Sequence, residues 1–172
     1  MVPTRCKFGV SRCTTSPTDK SIYRFVYGGY TPSGIVLSDV YVLSIPAFQW
    51  FRASTDNRNI RLDHGCAVAG NRHMISIGGN MQKDNAGAND FHQAAQDPRP
   101  QGIGVFDMTT LAWTDEYNSA APAYEPATVI KNWYANNNLA SVPWNSDQVK
   151  NYFFNGESPG VLVVSCSIVL TH

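Results

Sequence analysis

The 172 residues predict an all-β chain of two four-stranded antiparallel sheets in tandem, followed by an irregular C-terminal tail. Three observations carry this reading. A strand-like run ending in two glycines occurs twice, as "IYRFVYGG" (22–29) and "HMISIGG" (73–79), with the glycine pairs 50 positions apart. A second run, a short turn and a tryptophan also recur, in "SDVYVLSIPAFQW" (38–50) and "QGIGVFDMTTLAW" (101–113). Charged residues make up only 15% of the chain, against roughly 25% in typical soluble domains, while 13 glycines and 10 prolines suit short strands joined by tight turns.

The elements follow in order. "RCKFGVSRC" (5–13) is the first strand of the first unit, and "IYRFVYGG" the second, closed by Gly28 and Gly29. The third runs through "DVYVLSI" to the turn Ile45-Pro46-Ala47, and the fourth starts at Trp50. The second unit repeats the order: "DHGCAVAGN" (63–71), "HMISIGG" closed by Gly78 and Gly79, "GIGVFD" (102–107), the turn Met108-Thr109-Thr110, and a last strand from Trp113. Trp50 and Trp113 lie 63 apart, and the surplus of 13 over the glycine spacing falls in the polar insertion "NMQKDNAGANDFHQAAQDPRP" (80–100). The tail, 118–172, is rich in aromatics; Ser146 is placed to cap a short helix over "DQVKNYF", and "AYEPATVIKNWYANN" (123–137) offers the start of a third, broken unit without a glycine pair.

The second strands are mixed or apolar on both faces, whereas a sheet wetted on one side alternates polar and apolar residues. Four-stranded sheets repeating every ~50 residues and covered on both faces describe propeller blades. The units are read as 5–58 and 61–117, the latter with the inserted loop 80–101.

These two units resemble successive kelch repeats, and the tandem is similar to the kelch-propeller ectodomains of fungal cell-surface proteins over residues 5–117. The resemblance implies a partial propeller whose motif residues, Gly28, Gly29, Tyr41, Trp50, Gly78, Gly79, Phe106 and Trp113, serve structure rather than chemistry. The glycine pairs end strands by adopting positive φ and admitting a close neighbour, and the indoles pack between adjacent blades. A phosphate-cradling role needs Gly-x-Gly-x-x-Gly before a helix, or Gly-x₄-Gly-Lys-Ser/Thr, and neither occurs.

Other chemistry finds little support in the pattern. Thirteen Lys and Arg balance thirteen Asp and Glu, without the basic footprint of a nucleic-acid or anionic-membrane binder. Cys6, Cys13, Cys66 and Cys166 form no Cys-x-x-Cys; free buried thiols, a Cys6–Cys13 bridge and a bridge to Cys66 all remain open. His64 and His73 lie on consecutive strands where they could meet, and the insertion adds Asp84, Asp90, His92 and Asp97, but these spacings match no metal site. Cys66 lies two residues from His64, hence on the same strand face, though a buried inert thiol is the better reading. No Gly-x-Ser-x-Gly elbow occurs. No cofactor is expected.

The start carries no secretory signal, no Asn-x-Ser/Thr sequon occurs, and the 11 apolar residues "GVLVVSCSIVL" (160–170) read either as a strand or as a cut-off membrane span. A surface location follows if the fungal likeness holds and a signal lies upstream, and a cytoplasmic one otherwise. Two blades leave open sheet faces. The chain therefore reads as a truncated or degenerate member of the family, as one that self-associates, or as one whose tail folds over the second blade. The functional expectation is a non-catalytic scaffold that binds a protein or wall polysaccharide through loops 30–38 and 80–101. The alternative is a fragment of a galactose-oxidase-like enzyme acting on carbohydrate.

Overall fold

The computed structural model describes residues 9–12, 22–29, 31, 35–53, 55–62, 64–70, 72–79 and 97–154. Eight strands form two four-stranded sheets, each a simple meander in which every strand pairs antiparallel with the next. The first holds β1 (Gly9–Arg12), β2 (Ile22–Tyr27), β3 (Val40–Ile45) and β4 (Gln49–Arg52). The second holds β5 (Gly65–Ala69), β6 (His73–Ile77), β7 (Ile103–Asp107) and β8 (Ala112–Thr114). Their registers are copies of one another: Leu43 faces Trp50 across β3 and β4, and Phe106 faces Trp113 across β7 and β8. The outer turns match too, with Phe48 and Leu111 both left-handed at φ 52° and 56°. Cys6, Cys13, Asp84, Asp90, His92, Cys166, His172 and the apolar run 160–170 lie outside the described residues.

The core lies between the two sheets. Burial along β3 alternates strictly, with Val40, Val42 and Ser44 buried while Tyr41, Leu43 and Ile45 are half-buried. The buried set, joined by Tyr23, Phe25, Tyr27 and Phe51, faces Met74, Phe106 and Met108 of the second sheet. Phe25 and Phe106 meet edge to face at 6.3 Å, a geometry aromatic quadrupoles favour.

The tail is more ordered than its composition predicts. The stretch 123–137, which the sequence offers as a third unit, holds helix α1 (Thr128–Ala135), and α2 (Asp147–Phe154) follows a short 3₁₀ turn. Ser146 caps α2 as expected: its Oγ accepts the N–H of Val149 at 3.2 Å. Helix α1 buries Ile130 among the core residues and sets Trp133 edge-on to Phe51 at 6.2 Å. Tyr124 packs on Tyr23 and Phe25, and the Tyr134 hydroxyl lies 2.6 Å from Ser44 Oγ. The tail thus closes against the inward face of the first sheet, and it reaches the second unit where the Glu125 N–H donates to Thr109 Oγ1 at 3.2 Å. No helix among the described residues is long and apolar enough to cross a membrane.

The glycine pairs end their strands in identical fashion, with φ of 68° and 90° at Gly28 and Gly29 and of 65° and 90° at Gly78 and Gly79. Their roles are separable. A Cβ on Gly79 would lie 2.6 Å from the Leu62 carbonyl oxygen and 2.7 Å from His64 Cβ, whereas one on Gly78 would meet nothing within 4 Å. Gly78→Ala is therefore expected to cost about 1 kcal/mol, the left-handed strain alone, and Gly79→Ala at least about 2–3 kcal/mol because backbone must also move. Chemical denaturation of the two variants checks this; equal losses would contradict it.

Candidate functional site

The ends of β2, β4, β6 and β8 lie on one side of the sheets, and the segment 53–64 crosses there from the first sheet to the second. A turn of 3₁₀ helix at Asn57–Asn59, capped by Asp56 Oδ1 accepting the Arg58 N–H at 2.9 Å, sets its path. Arg61 follows, fully buried. Its carbonyl accepts the Gly29 N–H at 2.8 Å, and its guanidinium donates to the Gly78 carbonyl at 2.6 Å and the Gly102 carbonyl at 3.3 Å. Asp97 supplies the counter-charge at 2.7 Å. One residue thus grips both glycine pairs, and its carbonyl comes so close to Gly28 that a Cβ there would collide with it. A buried guanidinium without such partners would cost several kcal/mol.

Arg99 makes a second knot beside the first. It is also buried; its Nε donates to Asn59 Oδ1 at 3.0 Å, and its terminal nitrogens reach Asp115 and, at 3.3 Å, Asp56. Its guanidinium carbon sits 5.8 Å from the Trp113 ring centre, within cation–π range. Arg58 extends the network outward to Asp56 and Asp115.

Beneath these knots the seam is aromatic. Tyr27 projects from the first sheet between His64 at 4.6 Å and Trp113 at 4.8 Å, and its hydroxyl donates to the Asn59 carbonyl. Trp113 also meets Phe106 at 5.2 Å, so this indole does lie between the sheets. Trp50 does not. Both tryptophans occupy the same face of their own sheets, and among the described residues only the second sheet turns that face toward the other sheet; Trp50 packs on Tyr41 at 6.4 Å on the outward side. Register also separates Tyr41 from Phe106: the position matching Phe106 is Leu43, and the position matching Tyr41 is Gly104.

The electrostatics of the seam oppose catalysis by Cys66 and His64. Burial, reinforced by the Arg61 cation, pushes the His64 imidazole down to about 4, and neither ring nitrogen has a partner among the described residues. Burial pushes the Cys66 thiol up to about 12 and raises the Tyr27 phenol. A nucleophilic cysteine needs the opposite shift, toward thiolate. Cys66 is an unbridged thiol. His73 does not meet His64: the register pairs Ala69 with His73 and Gly65 with Ile77, so the histidines sit at opposite ends of the hairpin. His73 packs on Tyr117 at 5.2 Å instead. Asp97, the one described carboxylate of the insertion, is held by Arg61. Among the described residues no three His, Cys, Asp or Glu side chains gather as a metal site requires.

The residues that organise this end, Asn59, Arg61, Asp97 and Arg99, are absent from the motif read in the sequence. Arg61 was visible only as the start of the second unit, "RLDHG", without a sign that its side chain would turn inward. Of the two loops expected to carry recognition, 30–38 is described at 31 and 35–38, and 80–101 from 97 onward. Their described portions contribute the exposed Ile35 and, at the seam, the Asp97–Arg99 segment held by Arg61.

No family model matches the chain. It is 29% identical over 119 residues to a kelch repeat-containing protein of Arthroderma benhamiae, a stretch that is 66% of this chain and 16% of that relative. The chain therefore spans about a sixth of the relative's length. The likeness and the two antiparallel sheets agree with blade-like units of the kelch kind.

Proposed function

We propose that this chain is a kelch-type, non-catalytic interaction module, whose blade-end loops bind a protein or a wall polysaccharide at a cell surface. The observation that carries the reading is the seam itself. Every charged group buried in it, Arg61 and Arg99, is spent on holding backbone or a partner carboxylate. The Cys66 thiol and the His64 imidazole are both shifted toward their neutral forms. What the seam builds is a rigid platform at the end where loops 30–38 and 80–101 emerge, and recognition on loops needs such a support. The kelch likeness supports the same reading.

Exchange of 80–96 for a glycine-serine linker of equal length tests it. The variant is expected to keep the parent's melting temperature within a few degrees while losing retention on surface-protein and wall-polysaccharide fractions at least about ten-fold, roughly 1.4 kcal/mol. Copper-loaded protein is expected to release no hydrogen peroxide from primary-alcohol sugars; steady release would favour the galactose-oxidase-like alternative instead.

The structural role of His64 has a pH signature. Its folded-state value, about 4, lies below the unfolded reference of 6.5. Its contribution is complete above that reference and is lost as pH falls from there through about 4, because the unfolded chain takes up the proton first. The loss amounts to up to about 3 kcal/mol. Urea titrations of the parent and of His64→Phe between neutral pH and pH 4 measure it. The parent's stability is expected to fall more steeply than the variant's; parallel curves would contradict the assignment.

A further inference from the structure

We infer that acid opens this molecule from one end: a proton on His64 parts the two sheets at their glycine pairs, while the tail keeps the other end closed. That a partner held by the loops of this end would be let go in acid rests on the interaction reading above.

Strand β2 shows why the ends differ. Its inward residues Tyr23, Phe25 and Tyr27 are spaced by two, so each meets a different level of the core. Tyr23 packs on Tyr124 of the tail at 6.0 Å, and Phe25 meets Phe106 at 6.3 Å. Tyr27, beside its glycine pair, meets His64 at 4.6 Å and Trp113 at 4.8 Å. The tail end adds Phe51 against Trp133 and the 2.6 Å contact of the Ser44 and Tyr134 hydroxyls. No imidazole or carboxylate is among these contacts. The glycine end instead depends on Arg61, Arg99 and their carboxylates, and it contains His64.

His64 is wedged in place. It is 7% exposed; a Cβ on Gly28 would lie 2.8 Å from its Cε1, and one on Gly79 would lie 2.7 Å from its Cβ. The ring cannot swing toward either pair without moving backbone. While neutral it needs no counter-charge, but an imidazolium carries a charge and two N–H donors. Neither nitrogen has a partner among the described residues. Of the other unpartnered buried atoms in the seam, Asn59 Nδ2, Arg61 Nε and Trp113 Nε1 are donors too, and Ser76 Oγ alone can accept.

The titratable groups around the ring give the proton no support. Arg61, on its own segment, repels it. Burial holds the Tyr27 phenol on β2 and the Cys66 thiol on β5 neutral. The Asp97 carboxylate is engaged on the terminal nitrogens of Arg61 at 2.7 and 3.0 Å, and Arg99 is matched by Asp115 and Asp56. The closed seam thus refuses a proton that water accepts, and acid favours the arrangement that brings His64 out. The Phe25–Phe106 level is the pivot, since beyond it the contacts are those of the tail. With the ring at about 4 in the closed seam and 6.5 in water, the open population is level above 6.5. It rises about ten-fold per pH unit below that and levels off again below about 4.

Hydrogen exchange of the full chain between pH 7 and pH 4, followed amide by amide and corrected for intrinsic rates, tests the opening. The Gly29 N–H, accepted by the Arg61 carbonyl, and the Gly78 N–H, accepted by the Gly102 carbonyl, report the glycine end; the Ile130 N–H reports the tail end. The two glycine amides are expected to lose protection together, about 100-fold over this range, and to stay at least about ten-fold less protected than Ile130. His64→Gln and His64→Phe, each checked for a parent-like circular dichroism melt at pH 7, are expected to reduce that loss to within about three-fold. Glycine amides that match Ile130 at every pH overturn the one-ended opening, because only the whole fold would then open. An undiminished loss in a folded variant overturns the role of His64. In the parent itself, a His64 imidazole resonance that titrates at its ordinary value overturns it as well, so the test survives variants that do not fold. None of these results touches loop recognition, which the linker exchange tests at neutral pH.

Discussion

The buried guanidinium of Arg61 is the constraint on which the rest of this structure depends. Its main chain receives the end of β2 and its side chain grips the end of β6, so the closing glycines of both sheets are fixed to one residue. With it go the positive φ at all four glycines, the close approach of the Arg61 carbonyl to Gly28 and of Leu62 and His64 to Gly79, and the 4.6 Å contact of His64 with Tyr27. Asp97 balances the charge, which brings the end of the polar insertion back to the seam. Removing water from a guanidinium is costly, and the carbonyls of Gly78 and Gly102 together with Asp97 offset that cost by charge-assisted hydrogen bonds. A polar clamp therefore decides how two otherwise hydrophobic sheets are aligned.

Much of this fold was legible in the sequence, for a physical reason. Glycine pairs that require positive φ, β-branched runs with period-two burial and a repeated tryptophan are local signals, and each reports directly on its own strand. Ser146 as a helix cap belongs to the same class. The parts that sequence reading missed depend on residues far apart in the chain. Helix α1 has Ala127 at its N-cap and hence no side-chain cap, and its one buried residue, Ile130, finds its partners across the molecule. Tyr41 looked equivalent to Phe106 by residue type, but pairing register, set by the neighbouring strands, matches Phe106 with Leu43. Trp50 and Trp113 look identical in the repeat and differ in surroundings because, among the described residues, only Trp113 has the other sheet in front of it.

The site was legible only in part. The sequence carries no phosphate loop, nucleophile elbow or metal spacing, and in the seam the buried guanidiniums of Arg61 and Arg99 are engaged in holding the sheets. The network of Asp56, Arg58, Arg99 and Asp115 could not be read ahead of the structure, because its members come from three separate segments that meet only when both sheets are in place. The functional inference thus rests on what is rigid: two sheets locked at one end, with loops leaving that end and apolar faces to either side.

The clamp itself admits one direct measurement, the unfolding free energy of Arg61→Met, which keeps most of the side-chain volume while deleting the guanidinium. Loss of the clamp leaves the Gly78 carbonyl and the Asp97 carboxylate without their partner, and the account predicts a destabilisation of about 3–5 kcal/mol, with hydrogen exchange accelerating at both glycine-pair ends together. A variant as stable as the parent, or one in which only one sheet loosens, would contradict the claim that this residue joins the two sheets.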